Sequence, residues 1–86
     1  MFIFTMYTKA VDRACDELDV IIASNQSKQL TRPLVTKLAT CLVTTEMASH
    51  AIEILFDRGY VTAASALGSV LGIDVEPIAN MVLARD

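Results

Sequence analysis

The side chains with the most chemistry to offer sit in the middle of the chain. Glu46, His50, Glu53 and Asp57 fall at i, i+4, i+7 and i+11, so on a helix they share one stripe. Carboxylates and an imidazole at that spacing are what a metal site is made from. Di-iron helical bundles, however, repeat Glu-x-x-His on two helices, and here the order is His-x-x-Glu, once. Zinc sites draw on two or three His or Cys ligands, and His50 is the sole histidine. A solvated helix face accounts for the stripe, and no metal or cofactor is expected. Cys15 and Cys41 lack CxxC spacing. They lie about equally far from a turn near Lys28 and could meet across a helical hairpin, but two buried, reduced thiols are the expectation in a reducing compartment. No Ser/Cys–His–Asp spacing and no Gly-rich phosphate loop occurs, so the chain is expected not to be an enzyme.

A second constellation is a pattern of charge. The chain carries a net charge of −3, yet between residues 20 and 45 its charged side chains are Lys28, Arg32 and Lys37, with no acid among them. If Pro33 opens a long helix, the unbonded N–H groups of its first turn favour an anion at the same place. Ser27 and Thr31 add hydroxyls. Lys28, Thr31, Arg32 and Lys37 are therefore the candidate ligand- or partner-binding residues, facing either a phosphate group or an acidic patch on another protein. Solvated loop charges are the plain alternative. Residues 64–83 also resemble a helix-turn-helix in the placing of Leu67, Leu71, Gly72, Ile73, Ile78 and Met81. The second helix of such a unit enters the groove of an acidic duplex. Here it would present Asp74, Glu76 and Asp86 with Arg85 as the one base, so nucleic acid is not an expected partner.

The elements that position these residues follow from periodicity. Residues 33–58 contain no glycine and no second proline, and Gly59 follows them, so they read as one helix roughly 39 Å long. Leu34, Leu38, Cys41, Thr45, Ala48, Ile52 and Leu55 form its seam, with Val43, Met47, Ala51 and Ile54 on a neighbouring face. Thr36, Thr40, Thr44 and Thr45 stand where an exposed helix would carry charge, so its first half is expected to be covered on most sides. Tyr7, Val11, Ala14, Leu18 and Ile21, widened by Cys15 and Ile22, predict a first helix over 6–24. The preceding MFIFTMYT either extends it or forms an apolar arm. The connection at 25–32 is short, and short connections join antiparallel neighbours. Gly59 suits a left-handed helix end, with Tyr60 folding back on Leu55. Thr62 is read as the cap of a helix over 62–71, and Asp74 as that of one over 75–85 with Glu76 and Pro77 in its first turn.

The expected fold is all-α, a single domain over residues 1–86: a long antiparallel helical hairpin with two short C-terminal helices packed on it. Its composition is unusual for so short a chain. Of its residues 53% are hydrophobic and 20% charged, against about 45–50% and about 25% in ordinary domains, and mean hydropathy is +0.48. A membrane span needs about 20 consecutive apolar residues. Lys37, Glu46, His50 and Glu53 interrupt the central helix, and Gly68 and Gly72 break the charge-free stretch 61–73. The surplus then points to a homo-oligomer, at least a dimer, or to a partner protein. The first residues carry no basic region ahead of an apolar core, so a cytoplasmic location is expected. The expected function is that of a small, non-catalytic intracellular protein that binds a partner protein, an inhibitor or adaptor of the kind phages and mobile elements carry against host defence. The alternatives are an oligomeric binder of an anionic ligand such as a nucleotide at the basic turn, and a helix-turn-helix regulator.

Overall fold

The computed structural model describes residues 2–25, 27–42 and 44–85, the side chains of 2–6 and 27–29 excepted. Among them the chain is all-α: α1 (Phe2–Ala23), α2 (Ser27–Ala39), α3 (Thr45–Asp57), α4 (Val61–Leu71) and α5 (Glu76–Arg85), with no strand. The spine is α1. Its 22 residues span about 33 Å at 1.5 Å per residue, matching the molecule's longest dimension of 33 Å. Tyr7, Val11, Ala14, Cys15, Leu18 and Ile21 are buried along one stripe, while Asp12, Asp16 and Asp19 face solvent. The helix already begins at Phe2, so residues 2–8 are its first turns and not an arm. Asn25 ends it at φ 64°, its N–H reaching the Ile22 carbonyl at 3.1 Å. Asparagine is among the few side chains that tolerate this left-handed geometry.

The central stretch is two helices, not one. The N–H groups of Thr40, Cys41 and Leu42 bond three residues back, to Lys37, Leu38 and Ala39, tightening α2 to its end. Threonine chemistry helps to close it: the Thr40 hydroxyl donates to the Lys37 carbonyl at 2.7 Å. Thr44 then sits in extended geometry (φ −123°, ψ 159°) and accepts the Met47 N–H at 3.1 Å as the N-cap of α3. The continuous seam fails at this break. Cys41 and Thr45 are exposed, as are Thr36, Thr40 and Thr44, so the first half is wet along its threonine face and not covered on most sides, while Val35, Leu38 and Leu42 are buried. Beyond the break the expected pattern resumes, with Met47, Ala48, Ala51, Ile52 and Leu55 buried and Ile54 half-buried. Val43 lies outside the described residues.

The start of α2 also differs from expectation. Pro33 lies inside the helix, which opens at Ser27, and Arg32 keeps helical geometry despite the proline after it. Proline removes the N–H that would reach the Gln29 carbonyl. Burial outweighs this loss: Thr31 and Val35, one turn apart, are 7% and 1% exposed, and they face inward only if the helix runs through the proline.

Two matching stops shape the C-terminal half. At Gly59 (φ 89°) the N–H bonds Phe56 and that of Tyr60 bonds Leu55. At Gly72 (φ 70°) the same pair of bonds reaches Ser69 and Gly68. Both are the Schellman arrangement, which needs a left-handed residue at the helix end. Thr62 is not a cap; it lies in the first turn of α4, whose cap position is Tyr60 without a side-chain bond. Asp74 does accept the Glu76 N–H at 3.1 Å ahead of α5.

The residues lining the space between α1 and α2 fix their sense. Ala10 and Arg13 lie beside Leu38 and Cys41, and Val20 and Ile21 beside Leu30 and Pro33, so the two helices are antiparallel. Tyr7 meets His50, Asp12 meets Arg58 and Asp19 meets Tyr60, so α3 runs in the same sense as α1. Helix α4 packs on both α2 and α3, and α5 packs on α3. Val11, Val35, Ile52, Leu55 and Leu67 are fully enclosed where these helices meet. Each contributes about 1.5–3 kcal/mol of burial.

Candidate functional site

The four residues singled out by charge do not share one surface. Successive residues of a helix are about 100° apart, so Lys37 lies about 140° round α2 from Arg32, and the helix cannot turn both to one ligand. Lys28 and Arg32 are one turn apart; the side chain of Lys28 lies outside the described residues. Arg32 and Lys37 are exposed and Thr31 faces inward. The anion site expected at a helix start near Pro33 is displaced as well. Because α2 begins at Ser27, Arg32 and Lys37 lie along its barrel, with Lys37 in the last turn.

The structure assembles a different feature around Thr31. The last turns of α1, the first of α2 and the first of α4 enclose an open hollow of about 380 Å³ at one end of the molecule. Thr31, Leu18 and Ala63 lie within it, and Ile22 and Val61 stand on its lips. Those lips are apolar and wet: Ile22 is 56% exposed and Val61 57%. Among the described residues lining the hollow none is charged. Tyr60 completes the wall, its hydroxyl donating to Asp19. That bond raises the Tyr60 phenol to about 12, because ionisation would set a second negative charge beside the carboxylate.

Sequence reasoning placed Ile22 in the seam of α1. Ile21 and Ile22 are 100° apart, and only Ile21 reaches the core. The available signal was the doubled isoleucine at a helix end, where one of the pair must point away.

A second surface runs along the outside of α1 and α2. Ala10 and Ala14 from α1 and Leu34 and Leu38 from α2 form its floor, with Arg13, Glu17 and Lys37 at its edges. Toward the turn it widens between Val20 and Leu30, both exposed.

In the polar stripe of α3, Glu46 and Asp57 are exposed, while Glu53 and His50 make internal contacts. Glu53 holds Arg85 at 3.0 Å, and His50 Nδ1 is hydrogen-bonded to the Tyr7 hydroxyl, the rings meeting edge to face at 5.7 Å and 73°. Among the described residues no group of three or more His, Cys, Asp or Glu side chains is placed to hold a metal. Both cysteines are free thiols; Cys15 is buried as expected but Cys41 is exposed, not buried. Burial pushes the Cys15 thiol up, and the nearby Arg58 guanidinium, itself 2.9 Å from Asp12, opposes part of that rise. Arg85, the one base of α5, is committed to Glu53, while Glu76 stays exposed. Among the described residues no helix is long and apolar enough to cross a membrane.

Compared with protein-family models, curated proteins and solved structures, the chain matches none of them.

Proposed function

We propose that this chain is a non-catalytic binding module of the inhibitor or adaptor type. It would act by seating part of a partner protein in the hollow between the ends of α1, α2 and α4. The observation that carries this reading is the pair Ile22 and Val61, two large apolar side chains more than half exposed on facing lips of one hollow. Exposed apolar residues scattered singly need no explanation, but a contiguous apolar surface on a small domain marks an interaction site. The uncharged lining favours an apolar side chain of a protein over an anionic ligand. Thr31 supplies a neutral hydroxyl at the floor, and the exposed Arg32 next to it on α2 favours a partner with acid around its apolar anchor.

The assembly is part of the same proposal: an oligomer, at least a dimer, working in the cytoplasm of its host. Capture from the native source tests the binding surface. The wild-type chain should retain a stoichiometric protein, and Ile22→Asp and Val61→Asp should each lose it while keeping wild-type helicity. Met81→Asp, on exposed α5, should keep it. Retention by the two lip variants would refute the hollow as the working surface.

A further inference from the structure

We propose that the groove along α1 and α2 is the homodimer interface. A second copy lies on it about a two-fold axis, its α1 antiparallel to the first, with each Arg13 facing Glu17 of the other copy. This rests on the dimeric assembly proposed above and names the face that makes it.

The groove is complementary to itself. Arg13 and Glu17 are one turn apart on the same wall. Two antiparallel copies of α1 related by an axis level with residue 15 bring each arginine opposite the other copy's glutamate. That same register sets Ala10 opposite Val20, since both pairs are centred on residue 15. Ala10 is small and half-buried, a dent in the wall, and Val20 is a 69% exposed knob. One register therefore satisfies charge and shape together, as interfaces between copies require. Leu30 and Leu34 of α2 flank the contact, so the pair would close as four helices around a new apolar seam.

The test uses full-length chains and charge reversal at exposed positions, with helicity as the folding control. Arg13→Glu alone sets acid against acid twice across the axis, and Glu17→Arg alone sets base against base twice. Each single variant should dimerise at least tenfold more weakly than wild type in sedimentation equilibrium. Mixed in equal amounts, the two should recover a heterodimer, because every facing pair is then opposite in charge. Single variants that dimerise like wild type would place the interface elsewhere and leave the assembly standing. Dissociated variants that do not recover on mixing would overturn the antiparallel register. A wild-type chain that stays monomeric would remove the assembly reading itself.

Discussion

At the scale of single residues, polar contacts along the edges of α1 add to the buried apolar stripe that packs it into the fold. Tyr7 meets His50, Asp12 meets Arg58, and Tyr60 donates to Asp19. Tyr60 gives the clearest reading in solution. Its phenol is raised to about 12, so the contact is intact below pH about 10, the ordinary tyrosine value, and is lost as pH rises through about 12. Phenolate absorbance, assigned by difference against Tyr60→Phe, should show a midpoint near 12 that Asp19→Asn returns toward 10. A wild-type midpoint already near 10 would show that the bond does not hold α3's end against α1. Tyr60 was legible as a residue following a helix stop, and its N–H does return to Leu55. Its partner forty-one positions earlier was not. Asp19 is one acid among several on a wet face, and only the parallel course of α1 and α3 selects it.

At the scale of elements, the break between α2 and α3 shows what periodicity hides. An apolar repeat of alternating fours and threes runs unbroken from Leu34 to Leu55, and it suggests a single rod. The cap was present in the same letters: Thr44 followed by Thr45 and Glu46 is a helix start, and three threonines before it weaken the helix they belong to. Two signals competed, and the capping one prevailed, with the Thr44 hydroxyl accepting the Met47 N–H and Thr44 itself in extended geometry. The cap therefore carries measurable stability. Thr44→Ala should cost about 0.5–2 kcal/mol in denaturant unfolding, whereas Thr40→Ala, whose hydroxyl only returns to its own helix, should cost less. Equal costs would mean that Thr44 does not start a helix. Ile52→Ala, at a fully buried position, should cost about 2–5 kcal/mol. Gly68 makes a different demand: a Cβ there would stand 2.1 Å from Val75 Cγ1 and 3.0 Å from the Ile73 carbonyl oxygen. Gly68→Ala should therefore destabilise by about 1–3 kcal/mol through overpacking, despite alanine's better helix propensity. A stabilised variant would show that the α4–α5 connection gives way freely.

At the scale of the whole molecule, periodicity and helix-stop signals carried further than any motif. The all-α class was written in the amphipathic period of α1 and in Gly59 and Gly72, which stop α3 and α4 where expected. The surfaces were not legible, because they depend on which apolar residues the packing leaves outside. Ile22, Val20 and Val61 look no different in sequence from Ile21, Val11 and Ala63, yet the first three are exposed and the last three buried. The charge pattern located α2 but scattered its members, since a helix turns Arg32 and Lys37 to different sides. In the proposed assembly, a chain with 53% hydrophobic residues leaves part of them uncovered, and another protein surface, first of all its own, would complete it. The mass of the free chain in solution tests this most directly. Light scattering across the micromolar range should report twice the 9.3 kDa of one chain, and a single-chain mass at every concentration would contradict it.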